Sequence, residues 1–154
     1  MIDEIDRKIL ALLQEDGRLS NAAIAEEVGL TTSTVFDRVK KLEKKGIIKK
    51  YVAVVDPEAV GKAITAFVRL VIGSPSSEDY FANKKDFLTT CKEEPSVLEI
   101  HTIAGDDCYI IKVRVNSPQE LEALLERLRS QTYISRTTSN IVLSTIKEEM
   151  TIDI

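Results

Sequence analysis

Residues 29–46 have the sequence GLTTSTVFDRVKKLEKKG, and this stretch decides the fold of the first third of the chain. Gly29 begins a tight turn, and Thr31 or Thr32 is suited to cap a helix, because a threonine hydroxyl accepts a hydrogen bond from a free amide of the first turn. The apolar residues that share one helical face are Val35, Val39 and Leu42. Gly46 then ends an amphipathic helix.

Two further helices are predicted before this stretch. The first runs over residues 3–15 and is stopped by Gly17, and the second is capped by Ser20. Their apolar residues at helical spacing are Ile5, Ile9, Leu12 and Leu13 in the first helix and Ile24, Ala25 and Val28 in the second. Three short helices, the last two joined by a tight glycine turn, form the helix-turn-helix pattern.

Basic residues are concentrated in one short segment, although the chain as a whole is acidic. The formal net charge is -4, but residues 36–50 carry seven lysines and arginines against Asp37 and Glu43. Residues 51–154 carry eleven basic and sixteen acidic residues. A local positive excess neutralises phosphates, whereas the acidic remainder disfavours nonspecific adhesion. Together with the helix-turn-helix pattern, this asymmetry predicts binding to double-stranded DNA rather than only a basic helix with a solvated face.

The predicted DNA contacts lie at the start and on the exposed side of the third helix. They are Thr32, Ser33, Thr34, Asp37, Arg38, Lys40, Lys41 and Lys44. Short polar residues can approach base edges, and the long cations can reach phosphates. Asp37 would repel a phosphate, so we expect it to contact a cytosine amino group or, preferably, to pair with Lys41.

The remainder of the chain alternates strands and helices. Residues 47–55 are predicted as a strand or short wing that leads into a linker containing Pro57 and Gly61. Strands are predicted over residues 64–72, 97–104, 108–115 and 134–146. A helix opens at Ser76 or Ser77 and runs to about residue 94, and another begins at the capping box of residues 117–120. The order β-α-β-β-α-β is the ferredoxin-like arrangement.

The predicted fold class is therefore α+β, with an N-terminal (winged) helix-turn-helix domain followed by a ferredoxin-like domain. The expected bounds are residues 1–50 for the first domain, 51–62 for the strand and linker, and 63–154 for the second domain.

Strand alternation puts Ile111, Val113 and Val115 on one face and Cys108, Ile110, Lys112 and Arg114 on the other. Because two helices cover only one face, the other, with Arg69 and Glu99, is expected to meet another subunit.

An ordered set of short motifs extends over essentially the whole chain. The motifs are IDRKIL at 5–10, GRLS at 17–20, Ile24-Ala25, VGL at 28–30, STV at 33–35, Arg38-Val39, Leu42-Glu43, GII at 46–48, Tyr51, Asp56-Pro57 and Gly61. In this order they resemble the leucine-responsive/asparagine regulator (Lrp/AsnC, feast/famine) family of transcription regulators. The resemblance implies that the second domain serves oligomerisation and effector binding, as a homodimer or a higher homo-oligomer such as an octamer.

The resemblance also implies where a small effector, usually an amino acid, binds. The family's ligand cleft involves a glycine turn and residues near the last strand of a neighbouring subunit. The matching positions are Ile103, Gly105, Asp106, Asp107 and Cys108 for the turn, and Thr137, Thr138 and Ser139 for the second side. From the residues alone, an ordinary Gly-Asp turn is an equal alternative. The family often has aspartate where this chain has Cys108, which favours another effector or none.

Other classes of protein are disfavoured by what the sequence lacks. No stretch approaches the ~18 consecutive apolar residues of a membrane span, and the acidic N-terminus has no signal-peptide pattern, so we expect a cytoplasmic location. Cys91 and Cys108 are interpreted as free thiols, and the single histidine, His101, has no ligand cluster around it. We therefore expect no metal, no cofactor beyond an amino-acid effector, and no enzymatic activity.

Three functional hypotheses follow. The leading one is a transcription regulator whose DNA binding responds to a small metabolite. The first alternative is an effector-independent architectural DNA-binding protein of the same fold, which the cysteine at position 108 favours. The second is an enzyme of amino-acid metabolism, or its regulatory subunit, which the basic helix and the missing catalytic residues disfavour.

Overall fold

The computed structural model describes residues 2–73, 76–105 and 109–154, which divide into two compact units. The first unit comprises Met1–Val54 together with Ile146–Ile154, and the second unit comprises Val55–Thr145. The chain therefore passes from one unit to the other twice. The sequence-based bounds placed residues 146–154 in the second domain, and the structure differs by grouping them with the helix-turn-helix unit.

Three helices build the first unit: α1 (Glu4–Glu15), α2 (Asn21–Val28) and α3 (Thr32–Lys44). The side chains of Asp3, Ser20 and Thr31 cap them by accepting a hydrogen bond from a backbone amide of the first turn. Gly29, with φ at +69°, turns the chain between α2 and α3. The buried core consists of Ile9, Leu10, Ile24, Ala25, Val35, Val39 and Leu42. The predicted caps, turn and apolar face of α3 are confirmed, with Thr31 rather than Thr32 as the cap.

The segment 146–154 is attached to α1 through a pair of hydrogen bonds. The side-chain amide of Gln14 donates to the carbonyl oxygen of Ile152 at 2.8 Å and accepts from the Ile152 amide at 2.8 Å. Met150, Ile152 and Ile154 line the same cavity, of about 540 Å³, as α1 and residues 47–51. Their spacing of two is that of an extended segment with one apolar side.

Residues 47–55 differ from the prediction, because they form no β-strand within the described part of the chain. The amides of Ile47 and Ile48 bond the carbonyl oxygen of Leu42 at the end of α3, and Val54 is 79% exposed. A strand needs a neighbour whose backbone groups complete its hydrogen bonds, and the residues that the structure describes supply none here. β-branched residues alone are therefore insufficient to make this segment a strand.

The second unit contains β1 (Ile64–Ile72), α4 (Ser77–Glu93), β2 (Val97–Thr102), β3 (Tyr109–Val115), α5 (Pro118–Gln131) and β4 (Ile134–Ile141). The sheet order is β2-β3-β1-β4, and every pairing is antiparallel. This confirms the ferredoxin-like arrangement and the predicted bounds of β1. β2 and β4 end earlier than predicted, and the predicted start of β3 at Cys108 lies outside the described residues.

Both helices of the second unit cover the same face of the sheet. Phe87 and Cys91 of α4 and Leu124 of α5 pack with residues of β1 and β3. The core-facing strand residues are Ala66, Val68, Leu70, Ile72, Tyr109, Ile111, Val113 and Val115. The opposite side, here called the open face, carries Phe67, Arg69, Val71, Glu99, His101, Ile110, Lys112 and Thr138. The predicted division of the sheet into a covered and an uncovered face is confirmed.

Candidate functional site

The start of α3 presents a group of exposed hydroxyl side chains. The Oγ1 atom of Thr31 lies 2.8 Å from Oγ1 of Thr34 and 3.1 Å from Oγ of Ser33. Thr31 also caps the helix by accepting from the Thr34 amide at 3.3 Å. The N-terminus of a helix carries free amides and a partial positive charge, which attract a phosphate. Thr32, Ser33 and Thr34 are thus exposed at a position suited to nucleic acid.

The lysines predicted to contact DNA continue this surface along α3. Lys40, Lys41 and Lys44 are exposed, while Val35, Val39 and Leu42 are buried on the other side of the helix. The adjoining Lys45, Lys49 and Lys50 are exposed as well. We call the exposed side of α3, from Thr32 to Lys44, the basic face. It has the composition that phosphate neutralisation requires.

One exposed residue of the basic face was missed by the sequence reasoning. Phe36 is 44% exposed and belongs neither to the core of the first unit nor to the residues packed against it. The ammonium group of Lys40 lies 4.6 Å from the centroid of its ring. The sequence indicated this exposure, because Phe36 is an aromatic residue that does not share the helical face of Val35, Val39 and Leu42.

Arg38 has a different environment from the other predicted DNA contacts. Its Nη1 atom lies 2.7 Å from Oδ2 of Asp3 and 2.7 Å from Oδ1 of Asp6. The guanidinium hydrogen bond, together with the bond from the Asp6 amide, lowers the pKa of the Asp3 carboxyl. Because Asp3 and Asp6 form the capping box of α1, Arg38 joins α3 to the start of α1. The structure thus places the Arg38 guanidinium in ion pairs with two carboxylates of α1, and its phosphate contact stays a prediction.

Asp37 lies exposed on the basic face. The pair with Lys41 that the sequence favoured is not formed, since no ion pair among the described residues joins them. The two side chains instead line a shallow depression with Thr34 and Arg38. The contact of the Asp37 carboxylate with a cytosine amino group, the other possibility that the sequence left open, stays a prediction.

The predicted effector residues near the hairpin are described only in part. Gly105 has a φ of +124°, and a Cβ there would meet no atom within 4 Å. Ile103 is half-buried beside it, whereas Asp106, Asp107 and Cys108 lie outside the described residues. A positive φ is a backbone conformation that glycine adopts without strain.

The predicted residues of β4 lie on two different faces of the sheet. Thr137 pairs with Leu70 and Ser139 with Val68, which puts both on the side covered by the helices. Thr138 pairs with Arg69 and lies on the open face. Tyr109, where the hairpin re-enters the sheet, pairs with Leu70 from the opposite side of β1. Thr137 is therefore two strands, about 10 Å, from this end of the hairpin.

Two family models together match almost the whole chain. A winged helix-turn-helix DNA-binding model matches residues 2–49, and the model of the Lrp/AsnC ligand binding domain matches residues 65–152. The second match alone covers more than half of the chain. This chain belongs to the Lrp/AsnC family. The matched segments of this Lrp/AsnC protein coincide with its three helices and with its sheet and covering helices.

Known relatives agree with this assignment. The DNA-binding transcriptional activator DecR of Escherichia coli is 40% identical over 148 residues, covering 96% of this chain and 95% of DecR. The crystal structure of a transcriptional regulator from Neisseria meningitidis in complex with L-methionine has a TM-score of 0.89 and 30% identity, covering 99% of this chain and 97% of that one. The feast or famine regulatory protein from M. tuberculosis, complexed with L-methionine, has a TM-score of 0.88 and 34% identity, covering 99% of both chains.

The Lrp/AsnC chain is thus a DNA-binding transcription regulator of the α+β fold. The described residues contain no cluster of three or more His, Cys, Asp or Glu side chains that could hold a metal ion. None of the helices within the described ranges combines the length and apolar character needed to cross a membrane. Cys91 is a free, buried thiol, and burial raises its pKa to about 12.

Arg38→Ala is expected to lower the midpoint of thermal unfolding of this regulator, because it removes the link between α3 and the cap of α1. Since the pKa of Asp3 is lowered in the folded state, the stabilisation is fully present above the ordinary aspartate pKa of about 3.9 and is lost as the pH falls through the lowered value. Thermal unfolding of both proteins between pH 7 and pH 2.5 measures this. Equal midpoints at pH 7 would contradict the structural role.

Proposed function

We propose that this Lrp/AsnC regulator binds specific duplex DNA sites through its basic face and that a small effector, an amino acid, modulates the binding. The observation that carries the proposal is the rotation of α3. Burial of Val35, Val39 and Leu42 leaves hydroxyls at the helix start and lysines along its exposed side. An exposed helix of this composition suits the major groove.

The side chains of the basic face divide between two kinds of contact. Ser33, Thr34 and Asp37 are short and lie in the first half of α3, where a recognition helix approaches base edges. Lys40, Lys41 and Lys44 are long cations that reach phosphates. Thr32, whose amide is at the helix start, bonds a phosphate through the N-terminus of α3. Sequence preference then depends on the first group and affinity mainly on the second.

Self-association follows from the open face. It combines the apolar side chains of Phe67, Val71 and Ile110 with a charge cluster in which Glu99 lies 3.1 Å from His101 and 3.4 Å from Lys112. These contacts lower the pKa of the Glu99 carboxyl, the His101 hydrogen bond being the larger cause. A second sheet face that carries apolar side chains between its charges is suited to burial against another subunit. A homodimer would present two α3 helices to a palindromic site.

Dimers would associate further through apolar side chains that the second unit leaves exposed. Phe81 is 75% exposed, Tyr133 is 54% exposed and Leu143 is 98% exposed. A contiguous apolar patch on a protein surface commonly marks an interaction site, and these three side chains are proposed to contribute to one. The resulting higher homo-oligomer, such as an octamer, is part of the proposal.

The effector site combines the hairpin turn with residues of β4. The free space and positive φ at Gly105 permit close approach of a ligand to the backbone. Asp106 and Asp107 would accept from an ammonium group. The second side of the site would come from β4 of a neighbouring subunit, through Thr138 on the open face or through Thr137 and Ser139 on the other face. Two solved relatives that contain L-methionine make this amino acid the first ligand to test.

The remaining properties follow from the regulatory function. The relatives are named as transcriptional regulators, which supports a role without enzymatic activity or cofactor other than the effector. A protein that regulates transcription acts in the compartment that holds the DNA. This compartment is proposed to be the cytoplasm.

Lys44→Ala should weaken DNA binding and reduce the steepness of its salt dependence by about 0.9 in the slope of log affinity against log salt, as expected for one lost phosphate contact. Lys85→Ala is the control, since it removes the same charge from α4. Fluorescence anisotropy with a selected duplex, at salt concentrations from about 50 to about 200 mM, measures both slopes. Equal slopes for the two variants would rule out the phosphate contact.

Phe67→Arg should shift the protein from dimer to monomer at micromolar concentration, because it places a second cation beside Lys112 on the open face. Phe81→Arg, the same change at a residue proposed for the association of dimers, should lower the higher oligomer but leave the dimer intact. Sedimentation equilibrium of the full chain distinguishes the two, with thermal unfolding to verify that each variant is folded. A folded Phe67→Arg protein that remains dimeric would refute the open-face interface.

L-methionine, or another of the twenty amino acids, should bind and raise stability by about 2.7 kcal/mol at 100 times its dissociation constant. Gly105→Ala should abolish this shift, because a side chain at positive φ strains the loop by roughly 1–3 kcal/mol. Gly61→Ala is the matched control, since Gly61 also has positive φ with open space around it. Calorimetry with and without duplex DNA completes the test, because coupling must be reciprocal. If no amino acid binds, the architectural alternative replaces effector sensing.

A further inference from the structure

Phe36 lies on α3 between Thr32 and Lys40, two residues that are proposed to contact DNA. Thr32, Phe36 and Lys40 follow one another at intervals of four residues, so they lie in line along one flank of the basic face. The other flank is the one whose Arg38 contacts Asp3 and Asp6. Phe36 therefore lies on the flank that remains open, and its ring is 44% exposed.

The position of the ring is stabilised by its neighbour one turn later. The Nζ atom of Lys40 lies 4.6 Å from the ring centroid, a distance at which the cation is attracted to the face of the ring. This contact holds two groups of different chemistry side by side, an apolar ring and an ammonium group. The ammonium has three donors, so it can bond a base or phosphate acceptor while it contacts the ring.

We propose that Phe36 contacts the 5-methyl group of a thymine in the major groove and thereby determines part of the sequence preference. This inference rests on the proposed DNA binding through α3. The thymine methyl is the apolar group that the major groove displays among hydrogen-bonding atoms, and an aromatic side chain is a suitable partner for it. Lys40 then donates to an acceptor within about two base pairs, because one helical turn advances about 5.4 Å and a base pair about 3.4 Å.

A protein partner at Phe36 fits the surroundings less well. Ser33, Asp37 and Lys40 are all exposed around the ring. Protein interfaces are depleted of lysine and aspartate at their centres, where an aromatic anchor would lie. A nucleic-acid surface has the opposite composition, since cations and short polar side chains surround the few apolar base contacts.

The experiment begins with duplexes selected from a random library by the full-length protein. Each thymidine of the selected site is then replaced in turn by deoxyuridine, which removes only the 5-methyl group. One thymine in each half-site should show a weakening of about fourfold, the effect expected for one methyl group that is no longer removed from water. Phe36→Ala should bind the thymine duplex more weakly and should lose the difference between thymine and uracil at that position.

Two further variants make the result specific to the ring. Phe36→Leu keeps an apolar side chain and should retain part of the discrimination, while Lys44→Ala should lower affinity without changing the thymine-to-uracil ratio. Since Phe36 is outside the core, the thermal midpoint of both Phe36 variants should stay close to that of the unchanged chain.

The inference is overturned if Phe36→Ala keeps the same thymine-to-uracil ratio at every position, or if no position of the site is sensitive to the methyl group. If Phe36→Ala keeps the thymine-to-uracil ratio and also sediments as a smaller species, the inference is overturned in favour of a ring that packs against protein. Failure of DNA binding through α3 as a whole is distinguishable, since Lys44→Ala would then leave the salt dependence unchanged.

Discussion

The burial of Val35, Val39 and Leu42 fixes the rotation of α3 about its own axis, and the functional surface of the first unit depends on that rotation. A helix has 3.6 residues per turn, so burying these three side chains against Ile9 and the rest of the core determines which residues are exposed. The lysines are exposed because no part of the core can accommodate unpaired charges.

The contact of Arg38 with Asp3 and Asp6 adds a second constraint on the same helix. It joins α3 to the first turn of α1, where the two carboxylates also cap the helix. Arg38 is closely followed by lysines in sequence, but it differs from the lysines of α3 in making ion pairs with these two carboxylates. The distinction depends on tertiary proximity over more than thirty positions, which a local pattern of basic residues does not contain.

Regular features set by local chemistry were predictable from the sequence. The bounds of β1, the capping serine at position 20 and the buried stripe of α3 follow from periodicity and capping preferences, which act within a few residues. Residues 47–55 were predicted as a strand because their composition favours one, but a strand also requires a pairing partner. The attachment of Ile152 to Gln14 was not predictable either, because it joins residues far apart in sequence through a single amide side chain.

The placement of Thr137, Thr138 and Ser139 favours an effector cleft that is built from more than one chain. Consecutive residues of a strand face opposite sides of the sheet, so one ligand on one face cannot contact the side chains of both Thr137 and Thr138. β4 is an edge strand, and its free edge is open to a neighbouring molecule. Within one chain, Thr137 is separated from the end of the hairpin by the central strand β1. Contact of one ligand with both the Gly105 turn and a hydroxyl of β4 therefore favours an arrangement in which the turn comes from one subunit and the β4 residue comes from another.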